Sequence, residues 1–189
     1  MHIPYEDYWT TFKRLDQHGY ANRRMALHTL IETYNLPASA DELVIDFRAK
    51  AWLGCHKFVF PEAEGVLQQL RRRGYKLGLV TNGPEISQRI KAVESGMADL
   101  VDVVLISGEE KVEKPAPEIF LRAAGKLGVD TSECVFVGDN PLTDIRGAHS
   151  AGMMTVWFKY YFPWPHDFTI TPHYTITRLP ELLEIIDDC

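Results

Sequence analysis

A chain of 189 residues, 46% hydrophobic and with a formal net charge of −6, carries enough apolar material for a full core. Its length suits one domain, or one with a small companion. The acidic balance argues against the general electrostatic footprint of a nucleic-acid binder, which needs a basic face, and no apolar run approaches the ~20 residues of a membrane span. The opening "MHIPYEDYWT" lacks the charged-then-apolar order of a signal peptide, so the cytoplasm is the expected setting. Cys55, Cys134 and Cys189 are widely spaced with no Cys-x-x-Cys pair, which reads as reduced thiols rather than a disulfide framework.

In chain order, residues 1–60 carry helical periodicity and little strand character, in "YEDYWTTFKRL", "ANRRMALHTLIETYNL" and "SADELVIDFRAKAWLG". Ser39 with Glu42 reads as a capping box opening the third of these helices, and Gly54 as its stop. A small helical unit is expected there. From Pro61 onward, helices alternate with short apolar strands, the sequence form of a parallel α/β sheet. The helix "EAEGVLQQLRRR" ends at Gly74 and feeds the strand "YKLGLVT"; its terminal Arg71–Arg73 run suits a last turn, where cations favour the helix dipole. A helix over Glu85–Ser95 leads to the strand "VDVVLIS", the helix "PEIFLRAAGKLG" and the strand "CVFVG". The helix "LTDIRGAHSAG", the strand "MTVWF" and the terminal helix "LPELLEIIDD" complete the pattern.

In open α/β sheets ligands bind at the carboxyl ends of the strands, and three polar groups fall there: Thr81-Asn82-Gly83, Lys114, and Asp139 with Asp144. A hydroxyl and backbone amides at a helix start bind a phosphate oxygen, because unpaired N–H groups and the helix dipole favour an anion. Thr81 with Asn82 would form that cradle. Lys114 precedes Pro115, which disfavours helical backbone and leaves the ammonium free to reach over the sheet edge. Two carboxylates leaving one strand end supply hard oxygen ligands of the kind that Mg²⁺ takes, with waters and substrate phosphate completing its shell. Taken singly, each group has a plain reading as a turn, a surface lysine or a helix cap; together they point to a phosphate and metal site.

With these residues in view, the chain resembles the haloacid dehalogenase-like (HAD) hydrolase superfamily over nearly all its length. "LGLVTNG" resembles the family's second motif, "EKPAPEIF" the third with its Lys, and "FVGDNPLTDIRGAHSAGM" the fourth, Gly-Asp-x-x-x-x-Asp. The separations, 33 residues from Thr81 to Lys114 and 25 from Lys114 to Asp139, also fit. The resemblance implies a Rossmann-like parallel sheet in residues 61–189 and a helical cap in residues 1–60. It also implies a Mg²⁺-dependent phosphatase of small phosphorylated metabolites that works through an aspartyl-phosphate. Thr81, Asn82 and Lys114 would hold the phosphoryl group, and Asp139 and Asp144 the metal.

One departure is severe. The family's first motif, an apolar strand ending Asp-x-Asp that supplies nucleophile and acid/base, should precede the cap, yet no Asp-x-Asp occurs in the 189 residues. "LVIDFRAKA" offers Asp46, but within the helical unit and with Arg48 where the acid/base belongs. The expectation is a core without its first strand, a start inside the cap, and a chain inactive or nearly so. The missing strand is central in the family, so another segment, a second copy or a strand-donating partner should fill its place, or the sheet should close up. A non-catalytic module that binds phosphate and Mg²⁺ or accepts a strand is the alternative function, and a 2-haloacid dehalogenase a lesser one. The seven histidines show no HExxH spacing, and the adjacent Cys55-His56 reads as packing. The aromatic "KYYFPWPHDF", 159–168, reads as a loop packed on the sheet, or as lining of the substrate entrance or a subunit contact.

Overall fold

A computed structural model of the chain describes residues 31–32 and 59–187. The backbone divides into two compact units, Met1–Cys55 and His56–Cys189. The helical cap expected in residues 1–60, with its capping box at Ser39 and Glu42 and its Cys55-His56 pair, lies almost wholly outside the described residues.

In the second unit, α1 (Ala63–Arg72) buries Val66 and Leu70, one turn apart, and carries Arg71 and Arg72 in its last turn. Gly74, at φ +88°, reverses the chain, a conformation that glycine adopts without strain. β1 (Gly78–Thr81) follows, then α2 (Glu85–Glu94), the one-turn α3 (Met97–Leu100), β2 (Val103–Ile106) and the one-turn α4 (Ser107–Glu110). α5 (Pro117–Leu127), β3 (Val135–Gly138), a π turn (Pro141–Ile145), α6 (Arg146–Ser150), β4 (Met154–Phe158), β5 (Tyr174–Ile176) and α7 (Leu182–Asp187) complete the order. The helix expected over 142–152 is thus divided into a π turn and a short helix. α3 and α4, four residues each, are too short to leave a helical period in the sequence.

Among the described residues all strand pairs are parallel and form two sheets: β1 with β2, Thr81 opposite Ile106, and β3–β4–β5, with Gly138 opposite Trp157. Among the described residues β1 and β3 do not pair, so the sheet has not closed up where the family's first strand is expected. Two apolar cores nevertheless run across both sheets. One joins Val66, Leu70 and Leu77 to Val156, Phe158 and Ile176, with Val135 and Val137 against it. The other joins Leu105, Ile119, Phe120, Ala123 and Ala124 to Ala148 and Met153, with Val80 and Phe136 against it. Val135 and Val137 face one core and Phe136 the other, the alternation a strand covered on both sides requires.

α5 and α6 meet through a glycine. A Cβ on Gly147 would lie 2.4 Å from Phe120 Cε2 and 2.9 Å from the Pro115 carbonyl oxygen, whereas one on Gly125 would meet nothing within 4 Å. Gly147→Ala is therefore expected to cost about 1–3 kcal/mol through overpacking, and Gly125→Ala, exposed in a helix interior, to gain roughly 0.5–1 kcal/mol. Denaturant midpoints of the two variants check the contrast.

Candidate active site

The carboxyl ends of β1 and β3 carry the polar groups that the sequence singles out. β3 ends in Gly138, and no other residue fits there: a Cβ would stand 2.4 Å from Asp144 Cβ and 2.7 Å from its carboxylate. Glycine lets the Asp144 side chain lie directly on the strand end. Asn140 then shapes the turn. Its side-chain oxygen accepts from the amides of Leu142 at 3.0 Å and Thr143 at 3.3 Å, and its carbonyl accepts from Asp144 N at 2.8 Å and Ile145 N at 3.3 Å. The Asn140 amide in turn donates to Asp144 Oδ2 at 3.1 Å. Such a π turn is a recurrent feature of functional sites, and here it aims a buried carboxylate back at the sheet.

Lys114 meets that carboxylate. Its Nζ lies 2.6 Å from Asp144 Oδ1, both side chains largely buried. The same Nζ donates to the Val80 carbonyl on β1 at 3.1 Å and sits 5.6 Å from the Phe136 ring centre on β3. One ammonium thereby spans both sheets. Its backbone is fixed by Asn82, whose Nδ2 donates to Lys114 O at 2.8 Å and whose Oδ1 accepts from Lys114 N at 2.9 Å. The Asn82 side chain is thus a strut for Lys114, which leaves only its main chain for an anion cradle. The Thr81 hydroxyl donates to Gln88 Oε1 at 3.4 Å, and Gly83 N donates to Ser107 Oγ at 2.9 Å.

Asp139 follows Gly138. Burial, followed by the charge of Asp144, pushes its carboxyl up to about 6, against the pull of a hydrogen bond from its own amide and of Lys114. Asp144 Oδ1, buried beside the ammonium, makes no hydrogen bond of good geometry. Two adjacent carboxylates balanced by one ammonium are a donor set that fits a hard divalent cation. Among the described residues no group of three His, Cys, Asp or Glu gathers, so water and substrate oxygens would complete the shell. Asn140 and Trp157, whose Nε1 donates to the Asp139 carbonyl at 3.1 Å, went unread in the sequence. The Asn-Pro step after Gly-Asp was the available signal for the first, as Asn is a strong helix cap.

The match to a haloacid dehalogenase-like hydrolase model covers residues 1–152, and the chain belongs to that family. It is 42% identical over 130 residues to a glyceraldehyde 3-phosphate phosphatase of Methanopyrus kandleri, covering 67% of this chain and 56% of that one. To a phosphoserine phosphatase of Thermus thermophilus it is 48% identical over 99 residues, 52% and 40% of the two chains. An N-acylneuraminate-9-phosphatase of Mus musculus is 38% identical over 136 residues, 70% and 54%. The chain spans about half the length of the curated relatives it matches. Among solved structures, a HAD-hydrolase of Bacillus subtilis, YfnB, described as bound to magnesium, superposes with a TM-score of 0.83 at 21% identity, over 99% of this chain and 85% of that one. A 2-haloacid dehalogenase of Pseudomonas syringae gives 0.64 at 30% identity, over 99% and 82%.

The raised Asp139 carboxyl sets a pH dependence. The folded state holds its proton up to about pH 6, while the unfolded chain releases it near 4. Between those values the folded state binds more protons, so stability falls as pH rises, by roughly 3 kcal/mol at most. Asp139→Asn is expected to flatten that fall and to raise metal-free stability at pH 7 to 8, as read from urea midpoints between pH 4 and 8.

Proposed function

We propose that this chain carries the phosphate- and metal-binding half of a phosphatase of small phosphorylated metabolites, and that alone it turns over little or not at all. The observation that carries the reading is the buried pair of Lys114 and Asp144 beside Asp139, at the joint end of β1 and β3. The relatives named as phosphatases of glyceraldehyde 3-phosphate and phosphoserine support the substrate class. In this reading the Thr81 hydroxyl and the main-chain amides after it donate to the phosphoryl oxygens, and Lys114 neutralises their charge. Asp139 and Asp144 hold Mg²⁺, which when bound supplies further neutralisation of the phosphoryl group. The acidic chain with few cysteines fits a cytoplasmic setting, and among the described residues no helix is long and apolar enough to cross a membrane.

No Asp-x-Asp occurs in the 189 residues, so in this reading the chain lacks the family's nucleophile and its acid/base partner. Loss of a covalent nucleophile leaves only the rate due to positioning and electrostatics, a deficit on the order of 10⁴ to 10⁶. A 2-haloacid dehalogenase fits less well, since that branch needs no Mg²⁺ and lacks the Gly-Asp that opens the fourth motif at Gly138-Asp139. A second reading, a module that accepts a strand from another copy or another protein, is favoured by the division into two sheets, with β1 and β3 unpaired to each other.

The test is hydrolysis of an aryl phosphate by the purified chain, with and without Mg²⁺, beside Asp139→Ala. Turnover no higher than that of the variant is expected, and fusion of an apolar strand ending Asp-x-Asp at the N-terminus should restore a Mg²⁺-dependent rate. Metal-dependent turnover by the unfused chain, lost in Asp139→Ala, would contradict the half-site reading.

A further inference from the structure

Trp157 belongs to β4, opposite Gly138 in the ladder, and is 7% exposed. Its place in a strand accounts for its burial but not for the direction of its one polar atom. The indole Nε1 donates to the Asp139 carbonyl at 3.1 Å. The next amide along, that of Asn140, donates to Asp144 Oδ2 at 3.1 Å. Carbonyl and amide belong to the same peptide unit, which is planar and rigid, with its C=O and N–H pointing opposite ways. That plane is therefore held at both ends, by Trp157 on one side and Asp144 on the other.

The aromatic segment reinforces the grip. The Trp157 ring lies 4.8 Å from that of Trp164, and Trp164 lies 5.3 Å from Phe168. The Arg146 guanidinium stands 5.2 Å from the Phe168 ring centre, and Arg146 opens α6 two residues after Asp144. The contacts run from the backbone of one carboxylate residue round to the helix that follows the other.

We propose that Trp157 is a positioning residue for both carboxylates: its indole N–H fixes the Asp139–Asn140 peptide and so the aim of Asp139 and Asp144 at a divalent cation. This rests on the reading that these two residues bind Mg²⁺. Without the indole donor the peptide can rotate, the Asn140 amide turns away from Asp144 Oδ2, and both carboxylates lose their common direction. The aromatic loop then has a definite task, which is to keep the indole from swinging off the carbonyl.

Mg²⁺ alone, titrated into the ¹⁵N-labelled full chain, tests this by NMR. The Trp157 indole N–H resonance, assigned by triple-resonance spectra of the ¹³C,¹⁵N-labelled wild-type chain, is expected to shift in step with the Asn140 amide. Trp157→Phe keeps a buried ring but removes the donor, and should weaken Mg²⁺ binding by about tenfold, as loss of a residue orienting a metal ligand does. Trp164→Phe, which keeps the donor, should weaken it less. If the wild-type chain binds Mg²⁺ while its Trp157 indole resonance stays still, or if Trp157→Phe binds equally well, the inference is overturned and the metal reading stands. If the wild type does not bind Mg²⁺ at all, the metal reading falls and the inference with it. The indole resonance of the wild type decides the matter even where the variant fails to fold.

Discussion

A lysine ammonium taken out of water must be paired and hydrogen-bonded or it destabilises the fold. Lys114 meets that demand with the Val80 carbonyl on one sheet, the Asp144 carboxylate after the other, and the face of Phe136. Much of the site follows from holding this one cation. Asn82 clamps its backbone, Gly138 makes room for the carboxylate it faces, and Asn140 bends the chain into a π turn that brings the carboxylate there. The ammonium spans the line where β1 and β3 do not pair, so it ties the two sheets at their carboxyl ends as the shared cores tie them along their faces.

The charge count at that point explains what the site suits. Asp139 and Asp144 together outweigh Lys114 by one negative charge when both are ionised, and the Asp144 charge adds to burial, the larger cause, in raising the Asp139 carboxyl. A phosphate dianion is repelled by such a site until a divalent cation reverses its sign. In the proposed function, metal and phosphate therefore bind as a coupled pair, each creating the field the other needs. In the proposed role, Trp157 and the aromatic loop add the geometric part, because a cation gains only from carboxylates that point the same way.

Much of this was legible in the sequence, and the limits have physical causes. Thr81, Lys114, Asp139 and Asp144 stood out because strands buried on both faces read as apolar runs, and chemistry concentrates where those runs stop. The split of the helix after Asn140 was not legible, since a π turn differs from an α turn by one hydrogen-bond step and leaves no periodic mark. The strut role of Asn82 was missed because a side chain that bonds backbone 32 residues away has no local signature. Trp157 fell within the expected strand "MTVWF", but hydropathy says nothing about where an indole N–H points. The absence of an Asp-x-Asp motif was plain in the sequence; among the described residues the strands fall into two sheets.

If Asp139 and Asp144 hold a divalent cation beside Lys114, metal and phosphate binding are coupled. Calorimetric titration of the chain with inorganic phosphate, at pH 7.5 and with or without saturating Mg²⁺, measures that coupling directly. Mg²⁺ is expected to tighten phosphate binding at least tenfold, and phosphate to tighten Mg²⁺ binding by the same factor, as linkage requires. Phosphate affinity indifferent to Mg²⁺, or no phosphate binding in its presence, would contradict the coupling.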